Sequence, residues 1–210
     1  MKLFLSTLCV LAIGTLNAQS PIDEKTDSTK KESTKSFALS GSIDAYLRQN
    51  ITAPNGAAAI APNTSFGNLN GFALGMANVI GTFEKGKVGA IVDLVVGPRG
   101  EDATFRSGAL RPSGSSNIVN QLYVYWNVTK KVTLTLGNFN TYLGYEVISP
   151  TSNYHYSTSY LFSYGPFSHT GLKAGFAITE DFSAMLAVMN NTDATELNPN
   201  NNYTLGGQLG

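Results

Sequence analysis

Catalysis on a polypeptide needs a nucleophile beside a base, a pair of poised carboxylates, or several metal ligands at a fixed spacing. This chain supplies none of these arrangements. Its two histidines, His155 and His169, are too far from any second ligand to predict a metal site, and its one cysteine, Cys9, lies in an apolar N-terminal stretch. Serines abound, yet none sits in a Gly-x-Ser-x-Gly elbow. The run Gly97-Pro98-Arg99-Gly100-Glu101 reads as a turn and has the spacing of neither a phosphate loop nor a dinucleotide fingerprint. No catalytic residue, no metal and no cofactor is expected, and the chain is read as not an enzyme.

Two other groups of residues could act on a solute without reacting with it. Asp44, Arg48, Asp93 and Lys173 fall on the polar face of alternating segments. In a wide wet lumen such charges set ion preference, and in a narrow one they must pair. Their mixed signs predict little selectivity, and cross-linking of a wall is as good a reading as permeation. The second group is Tyr154, Tyr156, Tyr160, Phe162 and Tyr164, followed by Phe167, a density of aromatics unusual for an exposed loop. It is expected to fold into a mouth as a constriction, where ring faces could stack on sugars; capping a rim or meeting a neighbouring protomer is the plainer alternative.

The elements that must hold these residues follow from composition and period. Of 210 residues only 13% are charged, 14 basic against 14 acidic, with 21 glycines and a mean hydropathy of −0.03. Ordinary domains carry about 25% charge, so this surface is not coated in the usual way. Balanced charge without basic blocks removes the footprint of a nucleic-acid binder. Past the N-terminus no run approaches the roughly 20 apolar residues of a spanning helix. Residues 1–18 have the charged start, short apolar core and small-residue exit of a secretory signal peptide, which would remove Cys9 and with it any disulfide or thiolate site. Residues 19–36 are polar, mixed in charge and aperiodic, as a disordered spacer is.

From Phe37 onward the apolar period is two. Phe37, Leu39, Ile43 and Leu47 share one face, and the pattern returns at Val88 to Val96, Leu122 to Val128, Val132 to Leu136, Leu172 to Ile178 and Phe182 to Val188. Between Asn68 and Glu84 it blurs: Phe72, Leu74, Met76 and Ile80 fall on one face and Asn78 on the wrong one, which suggests a bulge. Tight links at Glu84 to Lys87, Thr129 to Lys131 and Thr179 to Asp181 alternate with long ones. Transmembrane barrels show that asymmetry, with strands of about 9 to 11 residues. The polar face holds Ser, Thr, Gly, Tyr, Gln and Asn, which suits a lumen. Phe37, Trp126, Phe176 and Phe182 point outward near the tight turns, where an interfacial girdle belongs. Lipid offers the backbone no hydrogen-bond partner, so the expected architecture is an all-β antiparallel transmembrane β-barrel over 37–210, with seven complete strands and part of an eighth.

The stretches SGSIDAYLRQN from Ser40, GKVGAIVDLVVGPRGE from Gly86, QLYVYW from Gln121, LTLGNF from Leu134 and NYHYSTSYLFSYGPFSHTGLKA from Asn153 resemble the OmpL-like β-barrel porins of Bacteroidota-type bacteria. The likeness covers nearly all of 37–210, and SYGPFSHTG is its most specific part. It implies a bacterial outer-membrane barrel with pore activity, in contact with outer-membrane lipid and small hydrophilic solutes, and it carries no catalytic residue. Family members run longer, and the last strand here stops at Gly210. The chain is therefore expected to be the N-terminal part of a larger meander. The expected function is passive diffusion of small hydrophilic solutes; the alternative is a structural or adhesive barrel with a packed interior and partner-binding loops. Trimerisation, a common porin habit, is signalled by no single residue.

Overall fold

The computed structural model describes residues 35–56, 64–104, 115–195, 198 and 201–210. The expected signal peptide and all but the last two residues of the expected spacer lie outside the described residues. Those two, Lys35 and Ser36, already belong to the first strand, because their backbones pair with Lys85 and Glu84.

The strands are β1 (Lys35–Arg48), β2 (Gly71–Lys85), β3 (Val88–Val96), β4 (Val119–Asn127), β5 (Val132–Asn140), β6 (Ser168–Ala177), β7 (Ser183–Met189) and β8 (Thr204–Leu209). Two short helices, α1 (Pro98–Ala103) and α2 (Tyr160–Tyr164), sit in the long connections after β3 and β5. All eight strands form one antiparallel sheet in the order of the sequence. Each strand pairs with its chain neighbours, and among the described residues β1 and β8 have one partner each, so the sheet is not closed. The tight links lie at one end and the long ones at the other. The β2–β3 turn is the shortest, two residues with Gly86 at φ 62, the positive φ that a two-residue hairpin turn demands.

One face is apolar and bare. Phe37, Ile43, Phe72, Leu74, Leu122, Val124, Leu136 and Leu186 all project from it, with Phe72 90% exposed. A protein of this size with so continuous an apolar exterior must face something other than water. The other face is concave and carries two buried clusters. Toward the long loops, Met76 of β2 and Val95 of β3 pack against Phe66, Ala103, Ile148, Phe162 and Phe167, which the loops supply. Farther round the sheet, Phe139, Ala187 and Met189 pack together with Tyr123, Tyr142 and Met185 at their margin.

The blurred pattern in β2 has a single cause. Ile43 pairs with Ala77 but Ala45 pairs with Leu74, so Asp44 faces two residues, Gly75 and Met76. The bulge flips the phase of the strand. Phe72 and Leu74 point outward before it, and Val79 and Phe83 point outward after it. Met76, Asn78 and Ile80 therefore share the inner face, contrary to the expectation that Met76 and Ile80 follow Phe72. Asn78 is on its proper side. A second irregularity, between Asp93–Gln121 and Leu94–Val119, gives β4 an extra residue at Asn120 and turns its side chain inward.

Candidate functional site

The concave face at the long-loop end is where the polar residues converge. Asp44 fills the β2 bulge: one carboxylate oxygen accepts the Met76 N–H at 2.9 Å, and the other accepts the hydroxyl of Tyr156, from the β5–β6 connection. Gly75 is required here, because a Cβ would collide with the Asp44 carboxylate and the Tyr156 hydroxyl. Tyr46, two residues along β1, packs on the Tyr156 ring at 5.1 Å between centroids. The loop is thus tied to the first hairpin of the sheet.

Arg99 of α1 holds the same loop from the other side. Its side chain is buried, with Nε donating to the Ile148 carbonyl at 2.6 Å and Nη1 to the Tyr156 carbonyl at 2.7 Å. Its guanidinium lies 4.3 Å over the Phe66 ring and 5.2 Å from that of Tyr156. Burial lowers the Arg99 pKa, and Tyr156 and Asp44 oppose that shift. Tyr156 is raised, first by burial and then by its hydrogen bond to Asp44, so its phenol stays protonated. Within the loop, Ser159 caps α2 by accepting the Phe162 N–H at 3.2 Å, while Glu146 accepts from the Ser159 N–H at 3.1 Å. The helical spacing then turns Phe162 into the buried cluster and leaves Tyr160 and Tyr164 outside.

Beside this latch lies a recess of about 350 Å³, lined by β1 through β5 and by Val147, Ser149, Thr151 and Ser152 of the β5–β6 connection. Asp93 is 3% exposed in its wall, its two oxygens held by the side-chain amides of Asn78 at 3.2 Å and Asn120 at 2.6 Å. Asn78 also accepts the Ser42 N–H and hydroxyl, each at 2.8 Å, and Asn138 donates to the Asn120 carbonyl at 2.9 Å. Ser40 of β1 and Asn140 of β5 line one cavity, which shows how strongly the sheet curls.

The structure divides the residues singled out from sequence. Asp44, Arg48, Asp93 and Lys173 all lie on the inner side, but each is engaged. Arg48 donates to the Asn68 carbonyl, Asn70 and Asn50 at the rim. The Lys173 ammonium sits 4.1 Å over the Phe139 ring. Of the aromatic loop, Tyr156 and Phe162 turn inward, whereas Tyr154 at 87% and Tyr164 at 88% are almost fully exposed. Phe37, Trp126 and Phe182 project from the outer face near the tight turns, Phe176 is half-buried there, and Phe83, paired with Phe37, joins them. His155 is exposed; His169 is buried and bonded to the Thr141 hydroxyl at 3.0 Å. Among the described residues no three His, Cys, Asp or Glu cluster, and no helix is long and apolar enough to cross a membrane.

Arg99 and the asparagines at 78, 120 and 140 were missed from sequence. Arg99 looked like part of a turn. The asparagines carried a usable signal, since Asn is depleted in strands and needs a reason to be there. Residues 36–210 match the family described as "Putative beta-barrel porin-2, OmpL-like". No curated protein and no solved structure matches the chain.

Proposed function

The chain belongs to the OmpL-like β-barrel porin family, a family of bacterial outer-membrane barrels, and on that premise we propose that it is a passive diffusion channel for small hydrophilic solutes. The observation that carries the reading is the placement of the β5–β6 loop. It lies against the concave face, tied by Tyr156 to Asp44 and by Arg99 to two loop carbonyls, beside a recess whose lining residues are mostly uncharged and polar. A segment so placed narrows a lumen without stopping it, and selection is then by width and hydrogen bonding. The engaged states of Asp44, Arg48, Asp93 and Lys173 fit weak ionic preference. Export by residues 1–18, and an interfacial girdle at Phe37, Phe83, Trp126, Phe176 and Phe182, complete the proposal.

The protein reconstituted in a planar bilayer should give unit conductance steps, and deletion of residues 154–162 should raise their size. Unchanged steps from a deleted but normally assembled barrel would remove the constriction.

A structural or adhesive barrel is favoured by one feature, the apolar packing of Phe139, Ala187 and Met189 on the inner side. Such a barrel, folded by heat-modifiable migration on a gel, would be electrically silent. Silence of that kind excludes the channel.

A further inference from the structure

We infer that the recess between β1 and β5 is a binding subsite for an uncharged polyhydroxylated solute, a sugar or polyol. The inference rests on the inner face being the wet side of the proposed channel. It deepens that reading by naming a class of solute.

The chemistry of the wall selects the class. Sugars present many hydroxyls, each both donor and acceptor, on a carbon frame with apolar C–H faces, and they are recognised by planar amides, hydroxyls and carboxylates that are already oriented. Here the orientation is provided by Asp93. With both its oxygens occupied by the Asn78 and Asn120 amides, it fixes two side chains and leaves their oxygens directed elsewhere. The wall contains no lysine and no arginine, so an anion has no cationic partner in it. The carboxylate is already satisfied by neutral donors, so a cation gains less there than at an open carboxylate.

Two groups are left for a ligand. The Asn140 side-chain oxygen is shielded from solvent and has no partner among the described residues, and a turn of that amide toward the recess would give it one. Gln121 uses its oxygen to accept the Asn140 N–H at 3.2 Å, which leaves its NH2 group to donate. Gln121 thus offers a donor, and Asn140, on the adjoining strand, adds an acceptor once its amide turns. Ile80 and Val147 supply the apolar surface that C–H faces require. A volume of about 350 Å³ is on the scale of one or two sugar rings and is at the lower end of small-molecule sites.

Saturation-transfer NMR on the purified protein in detergent micelles tests this with glucose and sucrose as probes and calcium chloride as the cation control. Saturable, weak binding of at least one sugar is expected. Gln121→Leu and Asn140→Leu should each weaken it by about fivefold to tenfold, while Tyr125→Phe, on the inner face but outside the recess, leaves it unchanged. Heat-modifiable migration verifies that each variant is folded, and Ser152→Leu in the recess lining replaces any that is not. Absence of saturable sugar binding by folded protein overturns the inference. So does calcium binding that Asp93→Asn abolishes while sugars fail to bind, or equal loss in Tyr125→Phe. Liposome swelling with the same sugars separates the two readings. Swelling without saturable binding leaves the channel and removes the subsite; saturable binding without swelling leaves the subsite and removes the channel.

Discussion

Tyr156 and Asp44 are 112 residues apart in sequence and share a hydrogen bond on the concave face of the sheet. The contact closes a circuit from the first strand to the longest described loop. Asp44 is spoken for on both oxygens, by a backbone N–H exposed at the β2 bulge and by the Tyr156 phenol. The bulge therefore creates the donor that positions the carboxylate, and the carboxylate positions the loop.

Tyr156→Phe removes the phenol and keeps the ring against Tyr46. Loss of a hydrogen bond to a charged group in a half-buried site should cost about 1.5–3 kcal/mol. The expected outcome is faster chymotrypsin cleavage within residues 145–165 at unchanged sheet content by circular dichroism. Cleavage at the native rate would show that the loop is held elsewhere.

The latch should also weaken at high pH. The Tyr156 pKa is raised in the folded protein, so its contribution is complete below the unfolded tyrosine pKa of about 10 and is lost as pH rises through the higher folded value. An ionised phenol beside the Asp44 carboxylate is repulsive. Channel noise or loop cleavage should increase above about pH 10 in the native protein and show a smaller pH response in Tyr156→Phe. An identical response in both would assign the transition to another group.

Arg99→Lys is not a conservative change. A lysine ammonium lacks the planar fork that reaches the Ile148 and Tyr156 carbonyls while stacking on Phe66. The variant should lower the heat-modification midpoint nearly as far as Arg99→Ala, by the equivalent of about 2–4 kcal/mol. Full rescue by lysine would mean that charge alone matters at this position.

Leu122→Arg tests which face meets lipid. Leu122 is 51% exposed on the outer face of β4, and arginine there should cost about 2–4 kcal/mol in a bilayer if it lies near the midplane. Thr82→Arg, on the inner face of β2, should be tolerated within about 1 kcal/mol. The readout is urea unfolding in phospholipid vesicles. Equal costs at the two positions would contradict the assignment of faces.

Much of the architecture was legible because two of its causes are local. A period of two fixes which side chains share a face, and turn chemistry fixes where hairpins end, so the tight links at Gly86, Lys130 and Asp181 could be read directly. The phase change within β2 could be suspected but not resolved. Whether Met76 or Asn78 is the residue out of step depends on where the extra residue sits, and that is set by the pairing of Asp44 with Gly75 and Met76 across the sheet.

The candidate site was legible only in part for the same reason. The inward placement of Asp44, Asp93 and Lys173 follows from alternation. Their partners do not, since Asn78, Asn120, Tyr156 and Phe139 come from four separate segments. Helical phase in α2 separates buried Phe162 from exposed Tyr164, a distinction that a count of aromatics cannot make.

Sequence by itself determined a charge-poor two-faced β chain with short turns at one end and long loops at the other, because side-chain alternation and turn propensity act within a few residues. Only tertiary structure decided that a long loop lies on the concave face, that its own Tyr156 and Arg99 of α1 tie it down, and that asparagines from neighbouring strands meet around a buried carboxylate. Those outcomes depend on sheet curvature and on two bulges, which bring residues separated by tens of positions into hydrogen-bond range.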